Sequence, residues 1–207
     1  ESTQSSYSSM NGFYNSNVWK ELIDNDELID RQYEVVSGRK PKNYDEAVVI
    51  VDENDQISDY TLYTLGLKDS SELKEILKNA MEGKKQKVDK QKSSSYTYDE
   101  ILSLKFKLLL NTDYYSKNAD GTYTDNSSDE LYILDKLKNS QEIKIVGILR
   151  SKSKSAAQSG GSTVGYLSSL TEHLIKEIND TEIVKAQKEN EQTDIFTGMQ
   201  FPKSDGY

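Results

Sequence analysis

The densest set of potential ligands in this chain is Asp52-Glu53-Asn54-Asp55, with Asp59 four residues further on. Closely spaced oxygens suit a hard cation such as calcium, which takes ligands from alternating positions of a twelve-residue loop. That loop needs a glycine at its sixth position and a glutamate at its twelfth. Counted from Asp52, those places hold Ile57 and Tyr63, so the EF-hand pattern fails. The cluster reads instead as a solvated turn whose Asp side chains lie near a helix N-terminus. Paired carboxylates could also cleave a glycoside across a cleft. With 35 acidic residues some pair exists in any arrangement, so their presence carries no information.

His173, the single histidine, stands between Glu172 and Leu174 inside a helical pattern. A Ser-His-Asp relay through it would need an activated serine. The G-x-S-x-G elbow is absent, because Ser159-Gly160-Gly161-Ser162 has the wrong order. The run from Ser159 to Gly165 also lacks the lysine that a phosphate loop places after its last glycine. A surface histidine and a linker are the simpler readings. The sequence has no cysteine, which removes disulfides, thiolate metal sites and cysteine nucleophiles. No catalytic, cofactor-binding or metal-ligating residue is assigned. A hydrolase working through His173 or an acid pair stays as a third reading.

Fourteen tyrosines stand against one tryptophan and four phenylalanines. Tyr7, Tyr14, Tyr96, Tyr98, Tyr114, Tyr115 and Tyr123 lie in polar, loop-like surroundings. Exposed rings of this kind supply contact area at low entropy cost and can form a recognition surface. Tyr114 and Tyr115 are the first candidates for contact with a partner. The plainer alternative is that such rings cap the edges of the core.

Composition narrows the class. The 207 residues can hold one sizeable domain, or one core with a satellite. Hydrophobic content is 34% and mean hydropathy is −0.77, low values for a compact domain. The apolar residues fall in periodic blocks, so a core with long polar loops is expected rather than disorder. A net charge of −9 and a pI near 4.8 argue against general nucleic-acid binding and predict solubility. No stretch approaches the roughly 20 apolar residues that span a bilayer, and no signal peptide is visible. The chain begins Glu1-Ser2-Thr3 without an initiator methionine and is expected to be a processed product or an excised piece.

The elements that would position these residues are legible in part. Residues 1–16 read as a flexible N-terminal arm. Trp19, Leu22 and Ile23 have helical spacing and suggest a short amphipathic turn or two. Tyr33 to Val36 is a β-prone run, closed by Ser37-Gly38 and Pro41. Ala47 to Val51 is continuously apolar, as a strand buried on both faces would be. Ser58 offers an N-cap, and Gly66 stands where an αL glycine would stop the helix. Asp69-Ser70-Ser71-Glu72 resembles a capping box for a helix bearing Leu73, Ile76, Leu77 and Ala80 and ended by Gly83. The basic run at 84–95 has five lysines against one acid. It reads as a solvated loop, or alternatively as a patch for anionic headgroups, wall polymers or an acidic partner.

Ile101 to Leu110 alternates strictly and predicts a half-buried strand. Residues 111–127 suggest a hairpin with Asn118-Ala119-Asp120-Gly121 at its tip. Ser128 is the expected cap of a helix with Leu131, Leu134 and Leu137 facing inward. Ile143 to Leu149 predicts a central strand. Residues 151–165 read as a flexible connector. Ser169 and Glu172 have capping-box spacing ahead of a helix carrying Leu170, Leu174, Ile175 and Ile178, with a second helical stretch at about 181–190. The fold class is α+β: a small mixed β-sheet with several helices packed on it. One domain is expected over residues 17–200, with polar loops at 84–97 and 151–165 and a tail at 201–207.

The order of these pieces resembles the extracytoplasmic domain of MacB-like (FtsX/LolC-type) ABC transporter permeases of Gram-positive bacteria. The resemblance is carried by the Gly38-Arg39 turn followed by AVVIVD (47–52), by ISDYTLYTLGL (57–67), and by SLKFKLLL (103–110). EIKIVGILR (142–150), GYLSSLTEHL (165–174) and DIFTG (194–198) complete it. It covers about residues 17–200. It implies the inserted distal subdomain of such an ectodomain, non-catalytic and without a cofactor, on the extracellular face of the plasma membrane. The implied partners are the rest of the permease, its ATPase and a membrane-fusion-type adaptor, with a homodimer or heterodimer in the full transporter and no nucleic acid. The membrane helices and ATPase would lie outside this chain, and the cargo would be a peptide, antibiotic, toxin or lipoprotein. Gly38 and Arg39 are its structural turn. The alternative is a stand-alone secreted or surface-anchored binding module that works through its tyrosine-rich loops.

Overall fold

A computed structural model describes residues 18–69, 71, 95–152 and 163–202. The N-terminal arm, most of the helix expected at 69–83 and of the basic run at 84–95, and residues 153–162 and 203–207 lie outside the described residues. The chain divides into two compact units. The first comprises residues 1–105 and 144–168, and the second 106–143 and 169–207.

The first unit is built on a mixed sheet. In chain order its elements are β1 (Trp19–Glu21), α1 (Asp26–Gln32), β2 (Tyr33–Gly38), β3 (Glu46–Val51), α2 (Asp59–Thr64) and α3 (Tyr98–Leu102). They are followed by β4 (Lys105–Lys107, its first residue in this unit), by β7 (Glu142–Ser151, from Lys144 on in this unit) and by β8 (Thr163–Tyr166). The strand order is β1-β8-β3-β7-β2, and β4 pairs β7 off this path. β1 runs parallel to β8 and β3 parallel to β7, while β8–β3 and β7–β2 are antiparallel. The expected α+β class with a mixed sheet is what the structure shows.

The two strands expected at Ala47–Val51 and Ile143–Leu149 pair with each other in the sheet. Every residue of β3 is buried, and β7 lies between β3 and β2. A cluster of Leu22, Ile29, Val48, Ile50 and Leu149 forms a core, with Tyr33 and Val146 packed against it. The Ser58 hydroxyl accepts from Thr61 N, capping α2, and Gly66 has φ +72 just past the end of that helix. Ser58→Ala removes this bond and is expected to cost about 1 kcal/mol of stability in a urea titration.

Three expectations in this unit are corrected. Residues 19–23 do not form a helical turn: Trp19–Glu21 is a strand held by β8, and the first helix begins only at its Asn25 cap. The predicted strand over Ile101–Leu110 is mostly something else. Thr97 and Glu100 form a capping box, so Ile101 and Leu102 complete α3, and the strand shrinks to Lys105–Lys107. The alternation of covered and exposed side chains still runs from Leu104 to Lys107. The connector at 151–165 ends early, because Thr163–Tyr166 is a buried strand between β1 and β3.

The second unit comprises a 3-10 turn at Asn111–Tyr114, β5 (Tyr115–Lys117), β6 (Tyr123–Asp125), α4 (Glu130–Asn139), α5 (Ser168–Asp180, all but its first residue) and α6 (Glu182–Glu189). β5 and β6 form the expected hairpin, with Asn118 N donating to Thr122 O across its tip. α4 is capped by Asp129, whose carboxylate accepts from Leu131 N and Tyr132 N, and not by Ser128. Its face is also rotated from the expected one. Leu131 and Leu134 are 79% and 56% exposed, while Tyr132, Ile133 and Leu137 are half-buried. Tyr132 decides this rotation, because its hydroxyl donates to Tyr115 O at 3.0 Å. α5 already begins at Ser168, so Ser169 lies inside the helix and does not cap it. Among the described residues no helix is long and apolar enough to cross a membrane.

Candidate functional site

Gly38 and Arg39, the turn on which the sequence resemblance rests, are tightly built in. Gly38 has φ +70, a backbone conformation that side-chain-bearing residues rarely adopt. A Cβ on Gly38 would lie 2.3 Å from Val146 O, and one on Gly147 would lie 2.0 Å from Arg39 O. Two glycines on different strands therefore let two backbones touch, and Arg39 N donates to Val146 O at 2.9 Å across the contact.

The Arg39 side chain then closes the loop to β3. Its Nη1 and Nη2 donate to the two oxygens of Glu46 at 2.7 and 2.6 Å, the bidentate geometry that guanidinium and carboxylate favour. Glu46 is 6% exposed and also accepts from Lys42 N, Asn43 N and Asn43 Nδ2. Arg39, backed by these donors, holds the Glu46 carboxyl down at about 2 against the ordinary 4.5. Sequence reasoning missed Glu46. The signal was an acid placed directly before a run of five buried apolar residues, where a charge needs a partner.

The acidic loop is also a structural turn. Asp52 Oδ1 accepts from Asn54 N and Gln56 N, and Asp55, at φ +60, receives Arg150 Nε and Nη2 at 2.7 Å each. Among the described residues no group of three or more His, Cys, Asp or Glu side chains could hold a metal ion.

In the second unit Tyr114 and Tyr115 are half-buried. Tyr114 O accepts from Asn126, Tyr115 O accepts from Tyr132, and the Tyr115 ring packs against Phe196 at 5.1 Å. Of the other loop tyrosines, Tyr98 is exposed and Tyr96 donates its hydroxyl to Leu67 O. Tyr123 is buried and does not belong to a loop surface. His173 Nε2 lies 2.8 Å from Gln141 Oε1, an amide and not a carboxylate, so this contact is no base-and-orienter pair.

Compared with protein-family models, curated proteins and solved structures, the chain matches none. The contacts of Gly38, Arg39, Glu46 and Gly147 join the end of β2, the start of β3 and the middle of β7.

Proposed function

We propose that this chain is the non-catalytic extracellular domain of a MacB-like ABC transporter permease. Such a domain couples cytoplasmic ATP hydrolysis to export or extraction of a peptide, antibiotic, toxin or lipoprotein, working with an adaptor. The observation that carries the reading is the mutual packing of the segments that bear the resemblance. The Gly38-Arg39 turn lies on Val146-Gly147, AVVIVD pairs with EIKIVGILR, and Gly165 of β8 pairs with Val48. A mechanical role requires this kind of interlock, since a domain that relays movement must not deform at the junction of its strands.

A labelling experiment tests the proposal. The chain has no cysteine, so Ser128→Cys on the exposed surface introduces a single thiol into it. In intact cells a membrane-impermeant maleimide is expected to label the substituted protein and not its parent. The label should stay with the membranes after an alkaline carbonate wash. Labelling only after lysis, or a labelled chain released into the medium, would overturn the reading.

A further inference from the structure

We propose that a cleft within the second unit is a pocket for one cationic side chain, arginine or lysine, of a basic peptide partner. Its volume of about 240 Å³ is below the range of roughly 300–1,000 Å³ typical of small-molecule sites. Leu108 and Leu110 line it, as a methylene stem requires. Two carboxylates, Asp113 and Glu177, share the lining. Asp113 Oδ2 accepts from Leu110 N at 2.7 Å, which fixes that group in place.

Glu177 is the telling residue. It is half-buried in the cleft, yet has neither a hydrogen bond nor an ion pair among the described residues. An incoming guanidinium or ammonium would give this carboxylate a charge-assisted hydrogen bond. α4 ends here at Asn139 and its cap Ser140, so the negative end of the helix adds to the same field. The overall charge of −9 would steer a basic partner inward.

Lys136 is the one opposing charge in the lining. It is exposed, with Nζ 5.3 Å from the Tyr132 ring centroid. An anionic guest would find only Lys136 and His173 and would face both carboxylates. The inference does not rest on the transporter reading, because a surface binding module could use the same pocket.

The test is a titration of the whole ¹⁵N-labelled chain, followed by amide chemical shifts. Three blocked amino-acid amides serve as probes: N-acetyl-arginine, N-acetyl-norleucine and N-acetyl-glutamate amides. The arginine probe is expected to shift amides around Leu108–Leu110, Ser140–Gln141 and Glu177, with Kd on the order of 1 mM. Glu177→Gln should weaken it about five-fold, and Lys136→Gln should tighten it about two-fold. Neither change should disturb the rest of the spectrum. A pocket that merely packs would not tighten on loss of Lys136. Equal binding of the norleucine probe, stronger binding of the glutamate probe, or unmoved amides at saturating arginine would each overturn the proposal.

Discussion

Gly147→Ala is expected to destabilise the first unit by about 3 kcal/mol or more, a large part of a typical domain's stability. The added Cβ would lie 2.0 Å from Arg39 O and 2.9 Å from Arg39 C, and both are backbone atoms that cannot rotate away. Relief requires separating β2 from β7, which breaks the hydrogen bond from Arg39 N to Val146 O. Gly66→Ala is the control. Gly66 also has a positive φ, +72, but no atom of the described residues lies within 4 Å of its Cβ position. It should lose only the conformational term, about 1 kcal/mol. The single tryptophan, Trp19 in β1, reports on the first unit, so urea titrations followed by its fluorescence should separate the two variants clearly. Similar midpoints for both would contradict a destabilising contact between the two backbones at Gly147.

Glu46→Gln is the second large effect, and its size should depend on pH. The native carboxyl titrates at about 2 and an unfolded one near 4.5, so the native state holds its proton less tightly. The pair therefore stabilises the fold above about pH 4.5, and that contribution is lost as pH falls toward 2. Arg39 is half-exposed, which screens the pair, and about 2 kcal/mol at pH 7 is the expected contribution. Wild type and Glu46→Gln should thus differ by about that amount at pH 7 and converge near pH 2. A gap that stays constant over this range would assign the loss to packing and not to charge.

Much of the sheet was legible because its central strands are buried on both faces. Ala47–Val51 is apolar throughout and Ile143–Leu149 is interrupted only by the exposed Lys144, so both read as strands, and tertiary structure agreed with them. Helix α2 was legible through its caps, Ser58 and Gly66, which act locally. The short outer strands were not. Trp19–Glu21 and Thr163–Tyr166 are defined by partners far along the chain, and three or four residues are too few to show a period. The stretch from Tyr98 to Lys107 shows two signals in conflict. The capping box of Thr97 and Glu100 was present in the sequence, but the alternation beginning at Leu102 was longer and masked it. The orientation of α4 turned on one hydrogen bond from Tyr132 to the Tyr115 backbone, for which no periodicity exists. At the site level, Gly38 and Arg39 announced a turn, whereas Glu46 and Gly147, which give that turn its strength, lie 7 and 108 residues beyond Arg39. Glu177 carried no sequence signal, since only the fold leaves it without a partner.

The central functional claim concerns what surrounds this domain in its gene. Reading the full open reading frame and its neighbours tests it most directly. The account predicts apolar segments of roughly 20 residues on both sides of this domain, with an ATPase and an adaptor encoded alongside. A cleavable signal peptide followed by no membrane segment would contradict it.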